Sequence, residues 1–307
     1  MPICERDPWR LQYFADVSCP ADALIPTDDP DAWVWFPEHR WIYDKIRIAL
    51  SQDLACGPHG VPPAAFPVFS KPMTNLKGMG VGSQIIESAP AYEAAYQPGH
   101  MWMELLQGDH VSTDCAVLRG QPVWIRHTTG ETAGDGMFSD WTIHTAEMPA
   151  LGAYLERWIV DNMSNYTGML NFETISGRII EAHLRFADQW CDLYGAGWVK
   201  ALVNLYAANE WHFDDSNRID GFSLPLFARH DLKFNHPPHD LQQKIRNMPG
   251  ISSLQITFHE DKSPDEHPMP PGGFRLGIVN CTDMEAGRRA RRLLASAFPG
   301  EAILTAL

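Results

Sequence analysis

Apolar residues alternate with polar ones in short runs along most of this chain, and fall into helical spacing in only a few places. Leu151, Tyr154, Leu155, Trp158, Ile159 and Met163 recur at steps of three and four, which predicts an amphipathic helix over 149–165. Similar spacing through Trp41, Ile42, Ile46, Ala49 and Leu50 predicts a helix over 39–52, ended by Gly57-Pro58 and Pro62-Pro63. Ahead of it, Trp33, Trp35 and Phe36 read as a short strand in an N-terminal arm. Runs at 66–70, 101–106, 111–118, 121–127 and 141–146 predict strands of an antiparallel meander, with 128–140 a glycine-rich loop. Helical spacing returns over 187–206. Strands follow at 221–226, 253–258 and 274–281, with helices at 240–246 and 283–297, so the last third predicts a small α/β lobe.

One stretch stands apart. Residues 168–185 read as two apolar runs joined across Ser176-Gly177, a β-hairpin signal. The second run carries Glu181, His183 and Arg185 at alternate positions, which in a strand face one side. Charge on one face of a core strand is costly unless it is paired or holds a metal. A site and an exposed edge strand with a surface ion pair both fit. The turn decides which residues share the face. An odd loop over 175–177 puts Asn171, Glu173 and Glu181 together, whereas a two-residue turn at Ser176-Gly177 sends Glu173 and Glu181 to opposite faces.

Composition narrows the classes. The net charge of −14 opposes a general nucleic-acid or membrane-surface binder, though a few placed lysines still suffice for phosphate. The six cysteines are scattered without a C-x-x-C pair, and no signal segment or run of about 18 apolar residues occurs, so a cytoplasmic protein with free thiols is expected. Residues 76–83 carry Gly78, Gly80 and Gly82 after a strand that ends near Lys71. Alternating glycines let backbone N–H groups approach an anion, and a lysine adds a mobile point charge. A flexible hairpin turn with a surface lysine has the same spelling.

In order along the chain these segments resemble the ATP-grasp family of carboxylate–amine ligases. Tyr43-Asp44-Lys45 is similar to the family's DK helix, FPVFSKP at 66–72 with LKGMGVG at 76–82 to its second lysine strand and glycine-rich lid, and MWMELLQGDHVSTD at 101–114 to its adenine hinge. The hairpin resembles the family's acidic hairpin, which usually ends Glu-x-Asn-x-Arg. The resemblance implies an α+β fold of two lobes, with nucleotide held between antiparallel sheets. It divides the chain into an arm at 1–36, a core at 37–205 with a lid lobe near 60–105, and a C-terminal α/β portion at 206–307.

The resemblance also implies roles. Lys45 and Lys71 would bind ATP phosphates under Gly78, Gly80 and Gly82. Glu104, Leu105 and Leu106 would lie at adenine, and His110 where the family has a ribose-binding acid. Glu173, Glu181 and His183 would ligate Mg²⁺. Arg185, with Lys71, would serve the transferring phosphoryl group; apart from the resemblance, Arg126 at a strand end facing the glycine-rich loop is a catalytic candidate as an anion binder. The expected reaction activates a carboxylate as an acylphosphate for attack by an amine or similar nucleophile. Its partners are small molecules, with a homo-oligomer or second subunit expected where the site needs completing. Two further features depart from the pattern. His183 replaces an asparagine, and imidazole suits Mn²⁺ better than Mg²⁺. Residues 1–36 are too few for the family's usual N-terminal domain, which is expected to be missing. A degenerate protein that binds nucleotide or a partner without turnover, and an ATP-grasp kinase, are the alternatives.

Overall fold

The computed structural model describes Glu5 and residues 7–305, so Cys4, one of the expected free thiols, lies outside the described residues. The other five cysteines are free. In chain order the helices are α1 (Pro8–Leu11), α2 (Asp29–Trp35), α3 (Lys45–Leu50), α4 (Ala89–Ala94), α5 (Pro149–Asn162), α6 (Trp198–Ala208), α7 (His239–Arg246) and α8 (Met284–Ala295). The strands are β1 (Cys56–Pro58), β2 (Val68–Pro72), β3 (Gln84–Ile86), β4 (His100–Glu104), β5 (His110–Leu118) and β6 (Gln121–Gly134). They continue with β7 (Met137–Ile143), β8 (Gly168–Ile175), β9 (Arg178–His183), β10 (Gly221–Ala228), β11 (Ile251–Ile256) and β12 (Phe274–Cys281).

Two antiparallel sheets result. A small one runs β1-β4-β2-β3 and a large one β11-β12-β10-β7-β6-β5-β8-β9. The small sheet spans the expected lid, and residues 105–109 cross from it to the large sheet. The C-terminal strands do not build a sheet of their own, since β10 pairs with β7 and extends the large one. Three apolar clusters cover that sheet. Leu155, Trp158 and Ile159 of α5 pack on Leu170, Phe172 and Ile179. Trp198 and Leu202 of α6 pack on Ala116, Trp124 and Met169. Ala290 and Leu294 of α8 pack on Leu254, Leu276 and Val279. Burying each such side chain contributes on the order of 1.5–3 kcal/mol.

Local chemistry overrides the apolar pattern in three places. The strand expected at 33–36 is the end of α2, because Asp28 caps a helix whose first turn holds Pro30. The helix expected over 39–52 is split at Asp44, which is extended (φ −83°, ψ 101°) and accepts from the N–H groups of Ile46 and Arg47. Lys45 therefore opens α3 instead of sitting inside a longer helix. The glycine-rich loop expected over 128–140 is a long hairpin of β6 and β7, turning at Asp135-Gly136. Among the described residues no helix is long and apolar enough to cross a membrane.

Candidate active site

The β8–β9 hairpin turns in two residues, Ser176 and Gly177, both with positive φ (51° and 74°). That is a type I′ turn, and taken alone it would put Glu173 and Glu181 on opposite faces. A β-bulge overrules it. Thr174 pairs with Ile179 but Glu173 pairs with Glu181, so Ile180 is an extra residue on β9. The bulge turns the Ile180 side chain into the apolar cluster of Met101, Met103 and Leu106. It also brings the two glutamates opposite each other, with Asn171 opposite His183 one step along. The face expected of an odd loop is thus reached through an even one.

Both predicted lysines come to this edge. Lys45 Nζ lies 2.9 Å from Glu181 Oε1, and Lys71 Nζ donates to the carbonyl of the bulged Ile180 at 2.7 Å. Both lysines are buried. Burial pushes the Lys71 ammonium down to about 8, with Glu181 pulling it back and Lys45 adding to the fall. Across the hairpin, His110 Nε2 lies 3.4 Å from Glu173 Oε2. Burial disfavours the Glu173 anion, but His110, His183 and Arg185 together hold the carboxyl below its ordinary range. Glu173 keeps a third of its side chain exposed and Glu181 a fifth. Both carboxylates thus reach solvent.

The glycine run joins β2 and β3 of the small sheet. Gly78, Met79, Gly80 and Gly82 all have positive φ, so the loop curls tightly between β2 and β3. It meets the β6–β7 turn, where a Cβ on Gly136 would come within 2.9 Å of the Met79 carbonyl. At the crossing between sheets, Glu104 binds Ala55 twice: its N–H donates to the Ala55 carbonyl, and its Oε1 accepts the Ala55 N–H at 3.1 Å. Leu105 and Leu106 follow, and Leu106 packs on the cluster that also holds Ile180.

The other end of β9 is built differently. Arg185 lies just beyond the strand. Asp29, buried in α2, accepts from His183 Nδ1 at 3.0 Å, from Arg185 Nη2 at 3.0 Å and from Tyr43 at 3.1 Å. Burial alone would raise the Asp29 carboxyl, but Arg185 and His183 hold it well below the carboxylate range. His183 Nε2 is buried without a partner. Asn171 donates to Ser112 Oγ at 2.9 Å and Asp114 Oδ1 at 2.8 Å, which fixes its amide. Asp114 also accepts from Tyr194 and from the Ala187 N–H. Burial pushes Asp114 up to about 6 against those bonds.

Arg126 shares this face through its pairing with Asp114. Its guanidinium is tied up, donating to Asp215 and to the Ile219 carbonyl, each at 3.1 Å. It thereby clamps the 215–219 segment, with Nε buried without a partner. His127 points to the opposite face and bonds Thr113. Sequence reasoning missed Asp29, Asp114 and Ser112. The acidic Asp28-Asp29-Pro30-Asp31 run was the available sign of Asp29, but it reads equally as a capped helix start.

The resemblance implies a divalent cation. Glu173 and Glu181 fit one, offering hard carboxylate oxygens on adjacent strands. The expected trio with His183 is not preformed. Among the described residues no three His, Cys, Asp or Glu side chains stand together as a metal-holding group. Asp29 takes the Nδ1 side of His183.

No family model matches the chain, and no curated protein matches it in sequence. Solved structures do match it in fold. An L-amino acid ligase from Bacillus licheniformis aligns with a TM-score of 0.61 at 11% identity, covering 97% of this chain and 84% of that one. Phosphoribosylamine–glycine ligase from Thermotoga maritima aligns at 0.60 and 14% identity, covering 93% and 86%. An N5-carboxyaminoimidazole synthase from Aspergillus clavatus, solved with ADP and 5-aminoimidazole ribonucleotide, aligns at 0.56 and 11% identity, covering 84% and 73%. With two antiparallel sheets, a glycine-rich loop on the smaller and an acidic hairpin on the larger, this chain has the α+β ATP-grasp fold.

Proposed function

We propose that the protein is an ATP-dependent ligase that activates a carboxylate as an acylphosphate for attack by an amine or similar nucleophile. The observation that carries this reading is the meeting of Lys45, Lys71, Glu173 and Glu181 at one strand edge. Phosphoryl transfer asks a protein mainly for position and charge. Lys45 and Lys71 would turn from Glu181 and Ile180 to phosphate oxygens. The backbone N–H groups of 78–82 would cover those oxygens and exclude water. Glu173 and Glu181 would hold Mg²⁺, which supplies charge neutralisation between the phosphates. Arg185, held by Asp29, would stand beside the acylphosphate. The adenine would lie along 104–106, with His110 near the ribose.

A binding protein without turnover is the second reading, favoured by one observation: Lys45 is already neutralised by Glu181. ADP release separates the two. A ligase releases ADP only with both a carboxylic acid and an amine present, and mass spectrometry finds the amide. Phosphorylated acid accumulating without amine indicates a kinase. ATP binding without ADP under any pair of substrates overturns the ligase reading.

A further inference from the structure

The glycine run between β2 and β3 is tethered by two side chains that lie outside the lysine edge. Asn75 brackets its start. Asn75 Oδ1 accepts the Lys77 N–H at 3.0 Å, and Nδ2 donates to the Gly78 carbonyl at 2.8 Å. His100 holds its end. This residue starts β4, opposite Pro72 at the end of β2, and its Nε2 lies 3.2 Å from the Gly82 carbonyl. A carbonyl only accepts, so Nε2 carries the proton. The imidazole is buried, and its Nδ1 has no partner among the described residues. A Cβ on Gly82 would come within 3.2 Å of Nε2, so the ring also packs against the run. Inside the run, the Ser83 N–H donates to the Gly80 carbonyl at 3.2 Å, across a turn in which Gly82 has φ 78°.

All these ties to the run's middle fall on carbonyls. In a trans peptide the carbonyl and the following N–H point opposite ways, so fixing one aims the other. By holding the Gly78 carbonyl, Asn75 turns the Met79 N–H away from itself. By holding the Gly82 carbonyl, His100 fixes the peptide whose N–H, that of Ser83, reaches the Gly80 carbonyl. That bond in turn aims the Val81 N–H away from Ser83. The N–H groups of Met79, Gly80 and Val81 donate to none of the described residues. Successive open N–H groups receive an anion, whereas a carbonyl turned the same way repels it. Glycine takes either sign of φ at little cost, so an untied run would present both. Met79 keeps φ 64° without being a glycine, as a residue does where its surroundings hold the backbone to one form.

We infer that Asn75 and His100 are positioning residues of the glycine run, holding it in the form that leaves the N–H groups of 79–81 open to an anion. The inference rests on the ligase reading for that anion being the phosphates of ATP, and on the hydrogen bonds alone for the form of the run. Two measurements on the full chain test it. One is calorimetry with AMP-PNP and Mg²⁺. The other needs no ligand: the rate at which trypsin cleaves after Lys77, which is exposed. His100→Phe keeps a ring against Gly82 and loses the donor, whereas His100→Gln keeps a donor and loses the ring. Asn75→Ala removes both bonds of the bracket. Asn75→Ala and His100→Phe are each expected to weaken AMP-PNP by about fivefold or more, the scale of one lost hydrogen bond. Both are expected to speed the cleavage by about the same factor, because local opening of the run becomes easier. His100→Gln is expected to stay within about twofold of the wild type in both measurements. Wild-type behaviour of Asn75→Ala or His100→Phe overturns the inference, as does a His100→Gln variant impaired as much as His100→Phe, since the ring and not the donor would then matter. If the wild type binds no AMP-PNP, the nucleotide reading falls and the inference is decided by the cleavage rates.

Discussion

The two ends of β9 hold charge in opposite ways. At Glu181 the strand bulges, the carboxylates of Glu173 and Glu181 keep contact with solvent, and each has a partner at only one point. At His183 the charges are sealed. A buried aspartate from the arm satisfies the imidazole, the guanidinium and a tyrosine together. Ions left in contact with solvent exchange protein partners for ligand at modest cost, whereas ions locked in a dry network give them up only at several kcal/mol. One end of the strand is arranged to bind and the other to hold the arm and Arg185 in place.

The largest effect expected from this contrast is at Asp29. Asp29→Ala strips Arg185 of its ion-pair partner and His183 and Tyr43 of their buried acceptor, and removing one partner of such a pair costs roughly 3–5 kcal/mol. Urea unfolding measures it. A loss below about 1 kcal/mol would show that the sealed end is not sealed. Glu181→Gln, at the open end, is expected to change stability far less than Asp29→Ala.

Next in size is Asp114, which anchors Asn171 between the two ends. Its folded value of about 6 lies above the ordinary 3.8, so folding binds its proton more tightly. Its stabilising contribution is complete below pH 3.8 and is lost as pH rises through 6. The difference is about 3 kcal/mol at roughly 1.36 kcal/mol per pH unit. Asp114→Asn removes that loss. The stability of the variant relative to wild type should therefore improve between pH 4 and pH 7, by about that amount, in paired urea titrations. A constant difference across the range would contradict the buried, proton-binding Asp114.

The same contrast explains what the sequence made legible. Lys45, Lys71, the glycine run and Glu173–Glu181 announce themselves because their chemistry is local: a capped helix start, a strand end, alternating glycines, a hairpin. Their convergence is visible once their order is seen to resemble a known family. The sealed end is not legible that way. Asp29 reaches His183 across 154 positions. Nothing in the spacing of either residue records this. The bulge at Ile180 is a further case. Hydrophobic alternation fixes which residues belong to a strand, but one extra residue re-registers it, and only the paired backbone reveals that. The ion pair of Arg126 with Asp215, far along the chain, is equally absent from the local pattern.

A smaller effect sharpens the open end. Because burial brings Lys71 to about 8, raising the pH from 7 to 9 discharges it. A phosphate ligand needs it charged, so nucleotide affinity should fall by about tenfold over that interval. A flat profile would mean that Lys71 does not face the phosphates.

The central claim, that the Lys45–Lys71–Glu173–Glu181 edge binds nucleotide, is tested most directly by titrating AMP-PNP with Mg²⁺ into wild type and Lys71→Ala at pH 7 in a calorimeter. Saturable binding to the wild type, weakened at least tenfold in the variant, is the predicted result. No heat with the wild type, or equal affinity in the two proteins, would contradict it.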